Sequence, residues 1–298
     1  MWLEIIISLL TGWILGIFYT NYGKYILKRK RDTAMPAVYS ESTIKDLFKG
    51  EPEQQQLSMP CNDKSSMSCK VKAYEDTHNS TVVFVNHGRK QNSMLGIDFN
   101  LFGDKDTLCT KDAQALLDIL RDTPDDRTID LILHTTGGSM ASAEVMVKAL
   151  LSHSGSVRIY IPYYAESAGT LIALAGHEIH IGKGGWLTQV DPQFGCVSAA
   201  DLLEYSNRAE NQQTWFSDLA SLGRVGAQKA MDRAVDLMRY ICEVRRRDNK
   251  QLVELLVLGR SNHDRPLTED LLTDMQGLSF GISEDVMRLY KAHTAERR

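Results

Sequence analysis

The clearest pattern of apolar and polar positions lies in the middle of the chain. An apolar run from Ile129 to His134 is typical of a strand, and a second run follows at Val157–Pro162. Between them, apolar residues recur at spacings of three and four, which predicts a helix with an inner face of Met140, Ala143, Met146, Val147, Leu150 and Leu151. Strand, helix and strand in this order predict a β-α-β unit of an α/β fold.

Periodic segments flank this unit on both sides. Thr81–His87 and Glu178–Ile181 indicate strands, and Thr110–Arg121 indicates a helix with Thr110 as its N-cap. A small, apolar, helix-like segment is predicted at 171–176. The helices predicted after it are Val225–Arg247, Asn249–Leu258 stopped by Gly259, and one opened by Thr268 and closed by Gly277.

The chain begins with an apolar run that is about as long as a bilayer is thick. A secretory signal peptide would carry positive charges before its apolar run, but here they follow it, at Lys24, Lys28, Arg29, Lys30 and Arg31. We therefore predict a transmembrane anchor at 1–23, with the rest of the chain on the cytoplasmic side by the positive-inside rule. Polar composition with little periodicity predicts a basic juxtamembrane segment and loosely folded linker at 24–79, which leaves 80–298 as the folded domain.

Composition narrows the possible functions. The chain is 43% hydrophobic and 24% charged, which is typical of a globular protein, and its net charge of −4 gives no support for binding nucleic acid. The five cysteines are odd in number and show no CxxC spacing. This pattern predicts neither a disulfide framework nor a zinc site.

Two polar turns follow the paired strands. Ser167 stands where a strand passes into a helix, and a serine there faces the free N–H groups of the helix start, which suits a nucleophile. Gly137 and Gly138 follow the first strand and turn without a Cβ, so their N–H groups are candidates for an oxyanion hole. The sequence A-E-S-A-G around Ser167 lacks the G-x-S-x-G elbow, so it does not predict an ordinary α/β-hydrolase. Serine is also a preferred N-cap and Gly-Gly is common at strand ends, so each feature alone also fits a structural role.

The order of these motifs resembles the Clp and signal-peptide-peptidase class of serine proteases and, more narrowly, the serine dehydrogenase proteinase family. The resemblance spans about 81–289 and rests on His134–Gly138, Ser167–Ala175, Val190–Gln193 and His263–Leu267. It implies a ClpP/crotonase-like spiral of β-β-α units and an ATP-independent serine endopeptidase that acts on proteins or peptides. It also implies a homo-oligomer without metal or organic cofactor, with Ser167 as nucleophile and Gly137, Gly138 and Ala168 at the oxyanion hole.

The base that would activate Ser167 is less clearly marked. The resemblance points to Lys229, which occupies a place comparable to the catalytic lysine of related membrane proteases, although helical spacing also fits a solvated surface position. The histidine of the Clp triad is missing here, where Val190 or Asp191 stands. His263 and Asp191 remain as an alternative base and charge partner.

Two other functions fit the same pattern. An acyl-CoA enzyme with a crotonase-like fold would use the glycine pair to hold a thioester enolate, but it would not need a serine at a helix start or a membrane anchor. A ClpP-fold membrane scaffold that has lost its activity is the second alternative.

Overall fold

The computed structural model describes residues 66–87, 107–194, 197–209, 215–257, 265–272 and 275–296. Its helices are α1 (Met67–His78), α2 (Thr110–Asp122), α3 (Met140–Ser152), α4 (Ala168–Leu174), α5 (Ala199–Ala209), α6 (Trp215–Arg245), α7 (Asn249–Leu256), α8 (Glu269–Leu272) and α9 (Glu284–Glu296). Its strands are β1 (Ser80–Asn86), β2 (Thr128–His134), β3 (Val157–Ile161), β4 (Tyr164–Ala165), β5 (Glu178–Ile181), β6 (Trp186–Leu187), β7 (Gln193–Phe194), β8 (Val197–Ser198) and β9 (Leu278–Phe280).

A parallel sheet of five strands organises the described part of the chain. The strand order is β1-β2-β3-β5-β9, and every neighbouring pair in it is parallel. In β2, every residue from Ile129 to His134 is buried, as expected for a strand covered on both faces. The predicted β-α-β unit is therefore confirmed as β2, α3 and β3, and this α/β architecture brings the carboxyl ends of β1 and β2 to the same edge.

Each face of the sheet packs against a different set of helices. On one face, Leu131 and Ile159 join a core with α3, α4 and α6, including Met146, Leu171 and Met238. On the other face, a smaller cluster packs against α1 and α9, formed by Tyr74, Val82, Ile132, Tyr160, Val286, Leu289 and Tyr290. Burial on both faces fixes the position of the strand ends, and the turns that follow these strands form the candidate site.

The helix predicted at Val225–Arg247 is longer, since α6 begins at Trp215. Two predicted helix caps are also wrong. The N-cap of α2 is Cys109 rather than Thr110, because the Asp112 side chain reaches back to accept a hydrogen bond from the Cys109 N–H at 2.7 Å. The helix that begins after Thr268 ends at Leu272. Gly277 does not close it; instead, with a φ of +76°, this glycine turns the chain into β9.

The linker prediction is wrong for Met67–His78, which form α1. Ser66 caps this helix through its hydroxyl, which accepts a hydrogen bond from the Cys69 N–H, and Tyr74 is buried against the sheet. The Glu75 carboxylate also accepts a hydrogen bond from the Val82 N–H at 2.8 Å, which ties α1 to β1. These contacts with the sheet make α1 part of the folded domain.

Two further predictions concern the membrane and the cysteines. The predicted anchor at 1–23 and most of the linker lie outside the described residues, and none of the described helices is both long enough and apolar enough to span a bilayer. Cys109 and Cys242 are free, but Cys69 is disulfide-bonded. The spacing of the cysteines did not reveal this bond, because a single bridge depends on tertiary proximity rather than on a sequence pattern.

Candidate active site

Ser167 lies between β4 and α4 in a strained backbone conformation. Its φ of 50° and ψ of −118° are unusual for a residue with a side chain, and it is the N-cap of α4. The Ser167 N–H donates to the Thr188 hydroxyl at 2.9 Å. The Ser167 side chain is only partly buried, and its hydroxyl makes no hydrogen bond to any described residue. The predicted position of Ser167 at the start of a helix is therefore confirmed, and its role as a nucleophile stays a prediction.

The turn after β2 contains Gly137 and Gly138, and this glycine turn lies directly against Ser167. Glu166 N–H donates to the Thr135 carbonyl at 3.0 Å, which joins the turn that follows β2 to the one that follows β4. A Cβ placed on Gly137 would stand 3.0 Å from the Ser167 Cβ and 3.2 Å from the Ala168 nitrogen. Glycine is thus required at position 137 both by this contact and by its φ of +91°.

The three residues predicted for the oxyanion hole have different roles. The Gly137 N–H donates to the Thr135 hydroxyl at 3.1 Å, so in this structure it is not a free donor for an oxyanion. The N–H groups of Gly138 and Ala168 have no acceptor among the residues that the structure describes. Gly138 and Ala168 therefore offer two candidate donors, one in each turn, and Gly137 allows the close approach of the two turns.

His87 and Asp112, which the sequence analysis did not single out, connect to the glycine turn through Thr135. His87, at the end of β1, places Nδ1 3.2 Å from the Thr135 hydroxyl and Nε2 3.3 Å from Asp112. Thr135 is fully buried at the end of β2. The available signal was the position of His87 and Thr135 at the ends of neighbouring strands, which meet at one edge of a parallel sheet.

Comparison with known proteins identifies the family. The family model for ClpP-like SDH-type serine proteinases matches residues 56–294. The chain belongs to this family. It is 29% identical to the uncharacterized protein MJ0137 of Methanocaldococcus jannaschii over 239 residues, covering 76% of this chain and 79% of that protein. It is 30% identical to the uncharacterized protein MJ1495 of the same organism over 208 residues, covering 69% of this chain and 68% of that protein.

Solved structures of two proteases also resemble the chain. A variant of the 1510-N membrane-bound stomatin-specific protease aligns with a TM-score of 0.42 and 16% identity, covering 62% of this chain and 79% of that one. A variant of ClpP1 from Listeria monocytogenes aligns with a TM-score of 0.44 and 13% identity, covering 72% of this chain and 96% of that one.

The candidate bases of this serine proteinase lie in different environments. Lys229 is on α6 with an exposed side chain, and it has no hydrogen bond or ion pair with Ser167 or with any other described residue. Asp191 is 6% exposed, and its Oδ1 has no partner in the described part of the chain. It follows three residues after Thr188, which accepts the Ser167 N–H. His263 lies outside the described residues, so its role stays a prediction.

His134 has a structural role at the end of β2. It is 7% exposed, its Nδ1 lies 2.5 Å from the Tyr290 hydroxyl, and its ring makes an edge contact with Tyr164. Burial, with a smaller contribution from nearby His87, lowers the pKa of His134 to about 4. The ring is therefore neutral at pH 7 and helps to pack α9 against the sheet.

A basic cavity of about 330 Å³ lies away from this site. His177, Arg245, Arg246 and Arg247 line it, together with Val244, Gln276 and Gly277. Arg245 and Arg247 donate to the carbonyls that follow α4, among them those of Ala175 and Gly176. Since Ser167 is at the other end of α4, this cavity is not part of the candidate active site.

Proposed function

We propose that this chain is an ATP-independent serine endopeptidase with Ser167 as its nucleophile. The observation that carries the proposal is the contact of the turn at Gly137 and Gly138 with Ser167. Among the described residues, the Ser167 hydroxyl has no hydrogen-bond partner and the N–H groups of Gly138 and Ala168 have no acceptor. The contact between Gly137 and Ser167 fixes the distance between the two turns. Membership of a serine proteinase family supports the same reaction class.

The reaction follows from this arrangement. Ser167 Oγ attacks the carbonyl carbon of a peptide bond, and the carbonyl π electrons move onto oxygen, where the N–H groups of Gly138 and Ala168 stabilise the charge. A base takes the Oγ proton and returns it to the leaving nitrogen as the C–N bond breaks. Water then attacks the acyl-enzyme in the same way, which releases the acid and restores the serine hydroxyl.

Lys229 is the base in this proposal. Arg233, one turn after Lys229, pairs with Glu144 of α3, and Arg245 donates to the Leu150 carbonyl, so α6 and α3 run in the same direction. Lys229 therefore lies toward the beginning of α3, which is the end that follows the glycine turn. A lysine accepts a proton only as a neutral amine, and exclusion of water favours that form. Bound substrate or a second copy of the chain would exclude water there.

Self-association and membrane attachment belong to the same proposal. Val225, Tyr240 and Val244 of α6 and Tyr205 of α5 are large apolar side chains that stay exposed, which supports assembly into a homo-oligomer through these helices. The apolar run at 1–23, followed by basic residues, supports a single-pass anchor with the catalytic domain in the cytoplasm. Resistance of the full chain to carbonate extraction from membranes, and release of a chain that begins at residue 24, would test the anchor.

The nucleophile is tested with a fluorophosphonate probe, which reacts covalently with an activated serine. We expect the full chain to be labelled and Ser167→Ala to be unlabelled. Ser283→Ala is a matched control, because Ser283 caps α9 by accepting a hydrogen bond from the Val286 N–H and lies outside the site. Labelling that persists in Ser167→Ala, or is absent from the folded and assembled wild type, would refute the proposed function.

A further inference from the structure

Asp112 holds two separate segments that surround the glycine turn. Its Oδ2 accepts a hydrogen bond from the Cys109 N–H at 2.7 Å, and its Oδ1 lies 3.3 Å from Nε2 of His87. The His87 side chain is 9% exposed and the Asp112 side chain 24%, so this histidine–carboxylate contact is partly buried. Asp112 therefore fixes the segment before α2 and the end of β1 at the same time.

From His87 the contacts continue to the glycine turn. His87 Nδ1 lies 3.2 Å from the Thr135 hydroxyl, and that hydroxyl accepts a hydrogen bond from the Gly137 N–H at 3.1 Å. One assignment satisfies every group: His87 carries its proton on Nε2, donates it to Asp112, and accepts the hydroxyl proton of Thr135 on Nδ1. This chain of hydrogen bonds fixes the orientation of the peptide that ends at the Gly137 nitrogen.

The segment held by Asp112 also orients the next peptide. Leu108, which precedes Cys109, donates its N–H to the Gly137 carbonyl at 2.8 Å and accepts a hydrogen bond from the Ser139 N–H at 2.8 Å. The Gly137 carbonyl and the Gly138 N–H belong to one planar trans peptide, so they point in opposite directions. Because the carbonyl is held toward Leu108, the Gly138 N–H points away from Leu108.

We infer that Asp112, His87 and Thr135 form a relay that positions the Gly138 N–H for the oxyanion. These are positioning residues, since Thr135 and Gly137 separate the His87 ring from Ser167. The inference rests on the proposed function, because it specifies how that site holds its oxyanion donor. An N–H that is fixed before the reaction stabilises developing charge without having to reorient, and loss of one such donor typically slows acyl transfer about 100- to 1000-fold.

Two substitutions of Thr135 separate the hydroxyl from the volume of the side chain. Thr135→Val keeps the shape and removes the hydroxyl, whereas Thr135→Ser keeps the hydroxyl. We expect Thr135→Val to slow fluorophosphonate labelling of the full chain at least about 10-fold and Thr135→Ser to stay within about threefold of wild type. On a fluorogenic peptide that the wild type cleaves, we expect Thr135→Val to lower kcat with little change in KM.

Asp112→Asn tests the relay at its other end, because its amide cannot accept both hydrogen bonds as a carboxylate does. We expect slower labelling, and we expect Asp112→Asn combined with Thr135→Val to be little slower than Thr135→Val alone, since both break one relay. Thr123→Val is the matched control: Thr123 is also buried, and its hydroxyl donates to the Ile119 carbonyl at the end of α2. We expect this control to lose stability but to be labelled at the wild-type rate.

The outcomes distinguish the relay from the proposed function. If the wild type is labelled at Ser167 but Thr135→Val and Thr135→Ser react equally fast, the relay is refuted and the proposed function stands. If Thr135→Val fails to fold, then labelling of Asp112→Asn at the wild-type rate refutes the relay. If the wild type is not labelled at all, the proposed function is refuted, and the relay with it.

Discussion

Gly137 and Ser167 lie so close together that a side chain at position 137 would crowd the serine. A Cβ on Gly137 would stand 3.0 Å from the Ser167 Cβ and 2.7 Å from the Glu166 carbonyl oxygen. The two residues are 30 positions apart in the sequence and belong to different turns. Their contact brings the N-cap serine and the glycine pair together in one candidate site.

Gly137→Ala should therefore separate the two turns. The added methyl must displace the Glu166 backbone, and the φ of +91° strains any residue with a side chain. We expect fluorophosphonate labelling to slow about 100-fold or more. Gly184→Ala is the control, because Gly184 also has a positive φ, +76°, but a Cβ there meets nothing within 4 Å. Equal labelling rates for Gly137→Ala and Gly184→Ala would show that the reactivity of Ser167 does not depend on this contact.

Ser167→Gly should fold more stably than Ser167→Ala. The φ of 50° and ψ of −118° are easily adopted only by glycine, so Ser167→Ala keeps the backbone strain and Ser167→Gly relieves it. We expect a difference of about 1 kcal/mol in the free energy of unfolding, measured by urea denaturation, since the greater freedom of unfolded glycine offsets part of the gain. Neither variant should be labelled. Equal stability of the two would mean that the serine is not strained in solution.

The sequence predicted the parts of this site whose signals are local. The strand at Ile129–His134, the helix that follows it, and Ser167 at a helix start all show up in the spacing of apolar residues. The choice between the Gly137 and Gly138 amides could not be predicted, because it depends on the direction of the Thr135 hydroxyl. Helix α1 was missed because Tyr74 is its one buried residue among those described, which leaves almost no apolar period to detect.

Lys229→Met tests the proposed base with little change in side-chain length. If Lys229 takes the serine proton, we expect hydrolysis of a fluorogenic peptide to fall about 100-fold or more, since general base catalysis typically contributes 100- to 10,000-fold. Lys250→Met is the matched control, an exposed lysine on α7. Wild-type turnover in Lys229→Met would exclude this lysine and direct attention to Asp191 and His263.

Arg247→Lys should destabilise the fold although it keeps the charge. The buried guanidinium of Arg247 donates to the carbonyls of Leu174, Gly176 and Gln276, and a lysine ammonium cannot reach all three. Carbonyls left without donors cost about 1–3 kcal/mol each, so we expect the free energy of unfolding to fall by about 2–4 kcal/mol. Arg239→Lys, at an exposed position of α6, should change it by less than about 0.5 kcal/mol. Similar urea midpoints for the two variants would contradict this role.

The buried His134 should make the fold less stable in mild acid. Its pKa is about 4 in the folded protein, against an ordinary value near 6.5, so the unfolded chain binds a proton that the folded chain does not. The stability that depends on neutral His134 is fully present above pH 6.5. As the pH falls from 6.5 to 4, this group lowers the free energy of unfolding by about 3 kcal/mol in total. The free energy of unfolding, measured across this range, should show a shallower decline in His134→Asn than in the wild type. Tyr290→Phe should keep the wild-type slope, because it leaves the histidine buried and removes only the hydroxyl that bonds to it. An unchanged slope in His134→Asn would show that another group causes the loss of stability in acid.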